Sequence, residues 1–224
     1  MNKRIALIVG AGPGISAAFG EALVADGYQV ALASRNLEKL SPLAGKMNAA
    51  AFVADASSPP SLVQLFRDVD RSLGEPEVVL FNPSARIRGE LLTLNIGEAA
   101  DSIQTTAIGA LVTAQEAARR MLPRGRGSIF FTGATAAVKG FARSSVFAMG
   151  KFAVRGLAQS LARELGPKGI HVVHFVIDGG VVQGSQDLGV LSPPAIARSY
   201  MAALAQPSGA WSWELELRSR TEPF

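Results

Sequence analysis

The sequence contains no cysteine in its 224 residues. This absence excludes disulfide bonds, thiol nucleophiles and metal sites built on cysteine ligands. Long apolar runs are also missing, and no stretch approaches the ~20 residues that cross a bilayer. The opening residues lack the long apolar region and the small-residue cleavage site of a signal peptide. We therefore expect a cytoplasmic protein with no membrane partner.

A strong excess of charge of one sign is missing as well. The chain has 22 Lys and Arg against 18 Asp and Glu, a formal net charge of +4, and its basic residues form no run. Scattered charges are typical of a solvated surface, so we expect no nucleic-acid partner. The two histidines, His171 and His174, lie in a strand-like segment at a spacing that points them to opposite faces. They cannot form a metal pair, and we expect no metal site.

What the sequence does have is a regular alternation of apolar and amphipathic segments. Hydrophobic residues make up 48% of the chain, whose length suits a single core. The rhythm predicts one doubly wound α/β domain of Rossmann type over residues 1–224, with a seven-stranded, mostly parallel sheet flanked by helices. The predicted strands are residues 5–9, 28–33, 50–53, 78–81, 128–131, 170–177 and 211–217. The predicted helices are residues 15–26, 37–47, 59–73, 99–121, 144–165 and 195–205, the second capped by Asn36 and the third by Ser57 or Ser58.

A glycine-rich turn follows the first predicted strand, where Gly10, Gly12, Pro13 and Gly14 lead into Ile15. Small residues let the backbone approach a pyrophosphate closely, and the next helix directs its N-terminal amides at the phosphates. A turn between a strand and a helix therefore indicates a dinucleotide site at the carboxyl end of the strand. The alternative is a tight turn that binds no ligand.

The segments after the second and third strands bear on which dinucleotide is bound. An NAD site needs an acidic residue after the second strand to hold the ribose 2′-hydroxyl, but this chain has Ser34 and Arg35 there. Arg35 would attract a 2′-phosphate through charge-assisted hydrogen bonds, and Ser34 could donate another. This favours NADP(H) over NAD(H), unless Arg35 is an ordinary exposed residue. Asp55 could accept a hydrogen bond from the adenine amino group, or it could cap the next helix.

With these segments in order, the chain resembles the short-chain dehydrogenase/reductase family over nearly its whole length. Gly10 and Gly14 match the family's Gly-xxx-Gly-x-Gly motif, with Ser16 in place of the last glycine. Residues 82–85, Asn-Pro-Ser-Ala, keep only the first residue of the family's Asn-Asn-Ala-Gly. The resemblance implies the strand order 3-2-1-4-5-6-7 and a homodimer or homotetramer. It also implies that Asp55 contacts adenine and that residues 82–85 lie beside the cofactor.

The family's catalytic helix carries a Tyr-xxx-Lys pair, whose spacing puts both side chains on one face. In the family the lysine binds the nicotinamide ribose and lowers the pKa of the tyrosine, which acts as general acid or base on the substrate oxygen. The matching segment here keeps Lys151 but has Phe147 in place of the tyrosine. The family's serine falls on Ala134 and its helical asparagine on Thr106, so three catalytic groups are missing.

The resemblance and the glycine turn together predict a full set of cofactor-binding residues. They are Gly10, Gly12, Pro13, Gly14, Ile15, Ser34, Arg35, Asp55, Ala56, Asn82, Pro83, Ser84, Lys151, Gly179 and Val181.

A replacement for the missing proton donor is left open. Asp178 stands where the family has a proline after the sixth strand, and it could act as an acid or form the turn before Gly179 and Gly180. The hydroxyls near the expected site belong to Thr132, Thr135, Ser144 and Ser145. Four cations after strand ends could line a mouth for an anionic substrate or be solvated: Arg86, Arg88, Lys139 and Arg143. We expect the substrate loop within residues 178–210.

Two functions are consistent with these residues. The first is an NADP(H)-dependent oxidoreductase that acts on an unidentified small carbonyl or alcohol, with Lys151 orienting the cofactor and an unidentified acid replacing the missing hydroxyl. The second is a catalytically silent dinucleotide-binding protein, either a sensor or an assembly partner. A positioned proton donor contributes about 10²–10⁴ in rate, but hydride transfer itself belongs to the cofactor. We place the oxidoreductase first because of the family resemblance.

Overall fold

The computed structural model describes residues 4–185 and 187–222. Within these residues the chain forms seven strands and seven α-helices, with two helices in succession between the fourth and fifth strands. The strands are β1 Arg4–Val9, β2 Tyr28–Ser34, β3 Ala50–Val53, β4 Val78–Phe81, β5 Gly127–Thr132, β6 Ile170–Asp178 and β7 Glu214–Arg218. The helices are α1 Ile15–Ala25, α2 Leu37–Lys46, α3 Pro59–Ser72, α4 Ile96–Ile103, α5 Gly109–Met121, α6 Ser145–Leu165 and α7 Pro193–Leu204.

The strands form a single sheet in the order β3-β2-β1-β4-β5-β6-β7, and all six neighbouring pairs are parallel. The predicted doubly wound fold and the strand order implied by the resemblance are both confirmed. Because the strands are parallel, their carboxyl ends meet at one edge of the sheet. The order reverses between β1 and β4, and ligands of such sheets bind in the crevice at that point.

The sheet is buried on both faces, which is why its central strands are almost continuously apolar. Alternate residues of each strand point to opposite faces and contribute to two separate cores. One core packs the sheet against α3, α5 and α6, and its largest side chain on α3 is Phe66. The other packs it against α1, α2 and α7, and includes Phe19 of α1 and Tyr200 of α7. The helices thereby hold the carboxyl edge of the sheet in a fixed geometry.

Two predicted elements begin three residues away from where the structure begins them. The predicted helix 99–121 begins earlier, at Ile96, and is interrupted by one turn of π-helix, Gln104–Ile108, between α4 and α5. The predicted last strand 211–217 does not include Trp211, because β7 begins only at Glu214. The helix predicted at residues 195–205 is present as α7, which lies within residues 178–210 and packs against α1. No helix among the described residues combines the length and apolar character needed to cross a membrane.

Side chains cap most of the helices that start from a loop. Asn36 accepts a hydrogen bond from Lys39 N, as predicted, and Ser58 caps α3 by accepting one from Ser61 N. The helices α1 and α6 are the exceptions, because neither Gly14 nor Ser144 makes a side-chain capping hydrogen bond. Both helices start at the carboxyl edge of the sheet, so their N-terminal amides remain available there.

Candidate functional site

The glycine turn after β1 is held tightly against the neighbouring strands. Gly10 has a φ of 77°, a left-handed conformation, and its N–H and that of Ala11 both donate to the carbonyl of Ala33. A Cβ on Gly10 would lie 2.6 Å from Cγ of Pro83, so a side chain does not fit there. Asn82 fixes the turn from the other side by donating its Nδ2 hydrogen to the Gly10 carbonyl at 3.2 Å.

Ser16 has a structural role in this turn that the sequence did not reveal. Its hydroxyl donates to the carbonyl of Gly10 at 3.2 Å, and the residue is buried. A glycine, which the family has at this position, would leave that carbonyl to Asn82 alone. Ser16 therefore stabilises the turn from inside α1, and the motif position was the only signal that pointed to it.

The open side of the turn has the features of an anion-binding cradle. α1 begins at Gly14 without a side-chain cap, so its positive N-terminal end is unopposed. A Cβ built on Gly12 would meet no atom within 4 Å, which shows that the backbone borders empty space. A cavity of about 370 Å³ lies there, lined by residues 10, 12–16 and 82 together with Val181, Gln183 and Pro193. A pyrophosphate fits this cradle.

The end of β2 presents Arg35 to solvent. The hydroxyl of the preceding Ser34 donates to the carbonyl of Asn36 at 3.1 Å, so the donor that we expected for a 2′-phosphate is used within the chain. Arg35 lies close enough to Asp55 for its charge to contribute to the lowered pKa of that carboxyl group. The main causes are hydrogen bonds from the N–H and the hydroxyl of Ser57, which outweigh the opposing effect of partial burial.

Asp55 therefore forms a local turn with Ser57, and it does not cap α3, because that cap is Ser58. Its Oδ1 atom accepts both hydrogen bonds from Ser57. The next residue, Ala56, is buried with its carbonyl against Gly109 at the start of α5. On the loop after β4, Ser84 is exposed. These predicted cofactor residues thus lie along the carboxyl edge of β1 to β4.

Lys151 is the most unusual ionisable group at this edge. It lies on α6, fully buried, and its Nζ donates to the carbonyl of Thr132 at the end of β5, at 2.7 Å. Burial lowers the pKa of Lys151 to about 8. This is the ammonium's one hydrogen bond among the described residues, so two of its three N–H donors are left for a ligand.

The Thr132 hydroxyl is paired with the hydroxyl of Tyr200 on α7 at 3.1 Å, inside the core. Burial is the main cause of a raised pKa at Tyr200, and the hydrogen bond with Thr132 opposes it. Both hydroxyl groups are therefore occupied with each other. This pairing therefore removes Thr132 from the four hydroxyl groups that could replace the missing proton donor.

A second, larger cavity of about 770 Å³ lies beside the start of α6. Phe147 and Ala134, the positions that match the family's tyrosine and serine, both line it. Thr135 and Ser144 line it too, and neither hydroxyl makes a hydrogen bond with the rest of the described chain. Ser145, by contrast, is exposed and lies outside the lining. The structure thus brings two candidate hydroxyls, Thr135 and Ser144, to the place where the tyrosine is missing.

Thr106, aligned with the family's asparagine, lies in the π turn between α4 and α5. Its Oγ1 accepts a hydrogen bond from the N–H of Ala85 at 3.2 Å, and Ser102 donates to the carbonyl of the same residue. The two side chains therefore hold the loop that follows β4. Turns of π-helix are frequent at functional sites, but periodicity alone cannot locate them.

Asp178 does not fit the hypothesis of a replacement acid. It is the last residue of β6, buried, and its Oδ2 lies 3.1 Å from Nη1 of Arg218 on β7. It is not among the residues that line either cavity. The loop begins only at Gly179, which lines the larger cavity with Gly180, while Val181 lines the smaller one. The chain after β6 thereby connects the two cavities.

A partly buried network of polar and charged side chains lies near Lys151, and the sequence alone did not indicate it. Glu214 on β7 accepts hydrogen bonds from Arg155 at 2.7 Å and from His174 at 3.0 Å. Burial alone would raise the pKa of Glu214, but these hydrogen bonds and charges outweigh it and lower the pKa. Burial lowers the pKa of His174, and the positive charges of Lys151 and Arg155 add to that effect. No motif marks these residues, because the pairing of β6 with β7 brings His174 beside Glu214 and the packing of α6 adds Arg155.

The sheet order, the glycine turn and the crevice between β1 and β4 define a dinucleotide-binding α/β protein. More specifically, the chain belongs to the short-chain dehydrogenase family, whose model matches residues 4–185. An uncharacterized oxidoreductase of Staphylococcus aureus is 25% identical over 216 residues, which cover 93% of this chain and 94% of that protein. Sorbitol-6-phosphate 2-dehydrogenase of Escherichia coli is 28% identical over 189 residues, covering 81% of this chain and 73% of that enzyme. The crystal structure of a short-chain dehydrogenase from Rhodopseudomonas palustris is 32% identical with a TM-score of 0.85, covering 96% of this chain and 98% of that chain.

Proposed function

We propose that this chain is an NADP(H)-dependent oxidoreductase that acts on a small carbonyl or alcohol. The observation that carries the proposal is the open cradle at the start of α1, where uncapped helix amides border empty space beside Gly12. Members of the short-chain dehydrogenase family bind a nicotinamide dinucleotide, and this cradle fits its pyrophosphate. The bound dinucleotide supplies the hydride, or accepts it in the oxidative direction.

The chain's own residues would hold the two ends of this cofactor. Arg35, exposed after β2, offers a planar guanidinium to a 2′-phosphate, and no carboxylate in the segment 33–36 would repel it. Asp55 has one carboxylate oxygen, Oδ2, outside its hydrogen bonds with Ser57, and this oxygen could accept from the adenine amino group. Lys151 has two unused N–H donors for the hydroxyls of the nicotinamide ribose.

The substrate oxygen would be held by hydroxyl groups other than a tyrosine's. Ser144 is the better placed of the two candidates, because it stands at the start of α6, one helical turn before Phe147. There the positive end of the helix favours a developing negative charge on oxygen. Thr135 lines the same cavity from the segment after β5. Their hydrogen bonds would orient and polarise a substrate carbonyl.

Phe147 supports a second candidate function. A phenyl ring in place of a phenol removes the family's proton donor, and Asp178, engaged with Arg218, does not replace it. A silent dinucleotide-binding protein, acting as a sensor or assembly partner, would need the cradle and Lys151 but no proton donor. The two candidates agree on the cofactor site and differ only in turnover.

A homodimer or homotetramer remains part of the proposal. Large apolar side chains are exposed on the outer surface of α5, α6 and the π turn, and a second copy of the chain would cover them. They are Ile108, Leu111, Met149 and Phe152. Light scattering of the purified protein would give the mass of the assembly.

The test of the proposed function is a titration of the purified protein with NADPH and, separately, with NADH. We expect NADPH to bind much more tightly, and Arg35→Ala to weaken NADPH binding by about tenfold or more through the loss of a charged hydrogen bond, while leaving NADH binding alone. The matched control is Arg126→Ala, an exposed arginine before β5 at the opposite edge of the sheet.

Three results would discriminate between the possibilities. If neither dinucleotide binds, the proposed oxidoreductase function is refuted, and the fold serves only as a scaffold. Equal losses for both dinucleotides in Arg35→Ala would remove the assignment of Arg35. NADPH binding without turnover of any carbonyl substrate would favour the silent protein over the oxidoreductase.

A further inference from the structure

The larger cavity has a strongly unbalanced charge. Three arginines line it, Arg86, Arg88 and Arg143, and Glu222 is the only acidic side chain in the lining among the described residues. At about 770 Å³ its size suits a small-molecule ligand. Phe147 and Ala134 line the same cavity, so the charge borders the site proposed above for the substrate.

The three guanidinium groups are not neutralised by neighbouring side chains. Within residues 4–185 and 187–222, Arg86, Arg88 and Arg143 make no ion pair and no side-chain hydrogen bond. Their one specific contact there is that of Arg86, whose guanidinium carbon lies 5.1 Å from the centre of the Phe147 ring. Like charges gathered around one cavity repel each other, and an anion between them relieves the repulsion.

The arginines are also positioned by the backbone and are not merely scattered on a surface. The N–H of Gly89 donates to the carbonyl of Arg143 at 3.1 Å, which joins the loop after β4 to the loop before α6. Arg143 has a φ of 62°, a left-handed conformation that is strained for a residue with a side chain and costs about 1–3 kcal/mol. Such strain tends to occur where a side chain is held for a ligand.

Lys139, a cation near this cavity, shows the contrast. Lys139 is exposed, lies outside the cavity lining, and has its Nζ 5.6 Å from the centre of the Phe141 ring. It therefore belongs to the solvated surface. The three arginines alone present planar donor groups into the cavity, and such groups match the two oxygens of a carboxylate or phosphate in a bidentate arrangement.

Given the proposed oxidoreductase function, on which this assignment rests, we infer that the substrate carries an oxoanion, either a carboxylate or a phosphate. Arg86, Arg88 and Arg143 bind this group at the mouth of the cavity. The reacting carbonyl or alcohol then lies beside Ser144 and Ala134, which line the same cavity. Glu222 offsets one of the three positive charges, so a carboxylate would halve the remaining charge of the lining and a phosphate dianion would neutralise it.

The test is isothermal titration calorimetry with three aldehydes of similar shape, performed with and without saturating NADP+. The probes are 4-carboxybenzaldehyde, 4-formylphenyl phosphate and the neutral methyl 4-formylbenzoate. We expect one of the anionic aldehydes to bind at least about tenfold more tightly than the ester, because charge-assisted hydrogen bonds are lost in the ester. The stronger of the two identifies the anion as carboxylate or phosphate.

The arginine variants Arg86→Gln, Arg88→Gln and Arg143→Gln should each lower this preference by about threefold or more, and Lys139→Gln should retain it. The replaced side chains are exposed, so the variants should fold, and their thermal unfolding would verify this. The inference is overturned if the ester binds as well as the anions or if the preference survives in all three arginine variants. Arginine-dependent binding without any binding of NADP+ would support the anion site and refute the proposed oxidoreductase.

Discussion

Lys151→Met removes a buried ammonium group that has a single hydrogen bond among the residues that the structure describes. The side chain is buried between α6 and the end of β5, where the charged form is poorly solvated. Methionine has a similar length and no charge, so it keeps most of the packing. We expect the variant to be more stable than the natural protein at neutral pH in the absence of cofactor, and the advantage to disappear at high pH.

The magnitude follows from the pKa. In the unfolded chain Lys151 takes the ordinary pKa of 10.5, whereas burial lowers it to about 8 in the folded protein. Between these pH values the unfolded state binds more protons, so the free energy of unfolding of the natural protein rises with pH. A difference of about 2.5 pH units corresponds to about 3 kcal/mol. The hydrogen bond to Thr132 favours the charged form, which makes this an upper value.

The assay is urea unfolding of both proteins below pH 8, between pH 8 and 10.5, and near pH 10.5. Other groups titrate in this range, but they cancel in the difference between the two proteins. Lys168→Met is the matched control, because water already solvates that half-exposed ammonium. A stability difference between Lys151→Met and the natural protein that stays constant across these pH values would refute the reasoning.

Two further substitutions test the proposed chemistry. Phe147→Tyr should raise the rate of NADPH-dependent carbonyl reduction, with about 10²–10⁴ as the limit for a restored proton donor, whereas Phe152→Tyr, on the outer face of the same helix, should not. Unchanged activity in Phe147→Tyr would mean that the site differs from the family's catalytic site by more than the one missing hydroxyl group. Ser144→Ala should lower turnover by about 10²-fold with NADPH binding intact, because its hydroxyl makes no capping bond that the fold would miss. Ser58→Ala is its control, since that hydroxyl caps α3 and its loss should cost about 1 kcal/mol of stability without affecting turnover.

The sheet and its order were predictable from the sequence because they depend on local patterns. Buried parallel strands are apolar runs between helices, and the glycine turn marks where the first strand ends. The cap at Asn36 follows the same local logic. The predicted starts of two elements were wrong, because they depend on small changes of period or on distant residues. The π turn at Gln104–Ile108 shifts the helical register by one residue. The start of β7 is set only by its pairing with β6.

The candidate site divides in the same way. Gly10 and Lys151 were found by spacing, since each lies in a motif with a fixed separation along the chain. Ser34 was expected to face the cofactor, but its hydroxyl bonds to the backbone two residues on, a local alternative that spacing does not exclude. The pairing of Asp178 with Arg218 and the network around Glu214 depend on which strands become neighbours, and no sequence window contains both partners.

The buried lysine bears on which of the two functions fits the chain. In the family's arrangement a lysine at this position both binds the ribose and lowers the pKa of the tyrosine. Because residue 147 is a phenylalanine here, Lys151 has no hydroxyl group whose pKa it could lower. A buried ammonium costs about 3 kcal/mol at neutral pH, and within the described chain the Thr132 carbonyl satisfies only one of its three donors. A ligand with hydroxyl groups bound beside Lys151 would satisfy the remaining donors. Lys151 therefore supports a bound cofactor independently of the glycine turn, but it does not indicate whether the protein turns over a substrate. The arginine-lined cavity indicates a second ligand, because its three guanidinium groups are unpaired within the described residues, and turnover of that ligand is what separates the two functions.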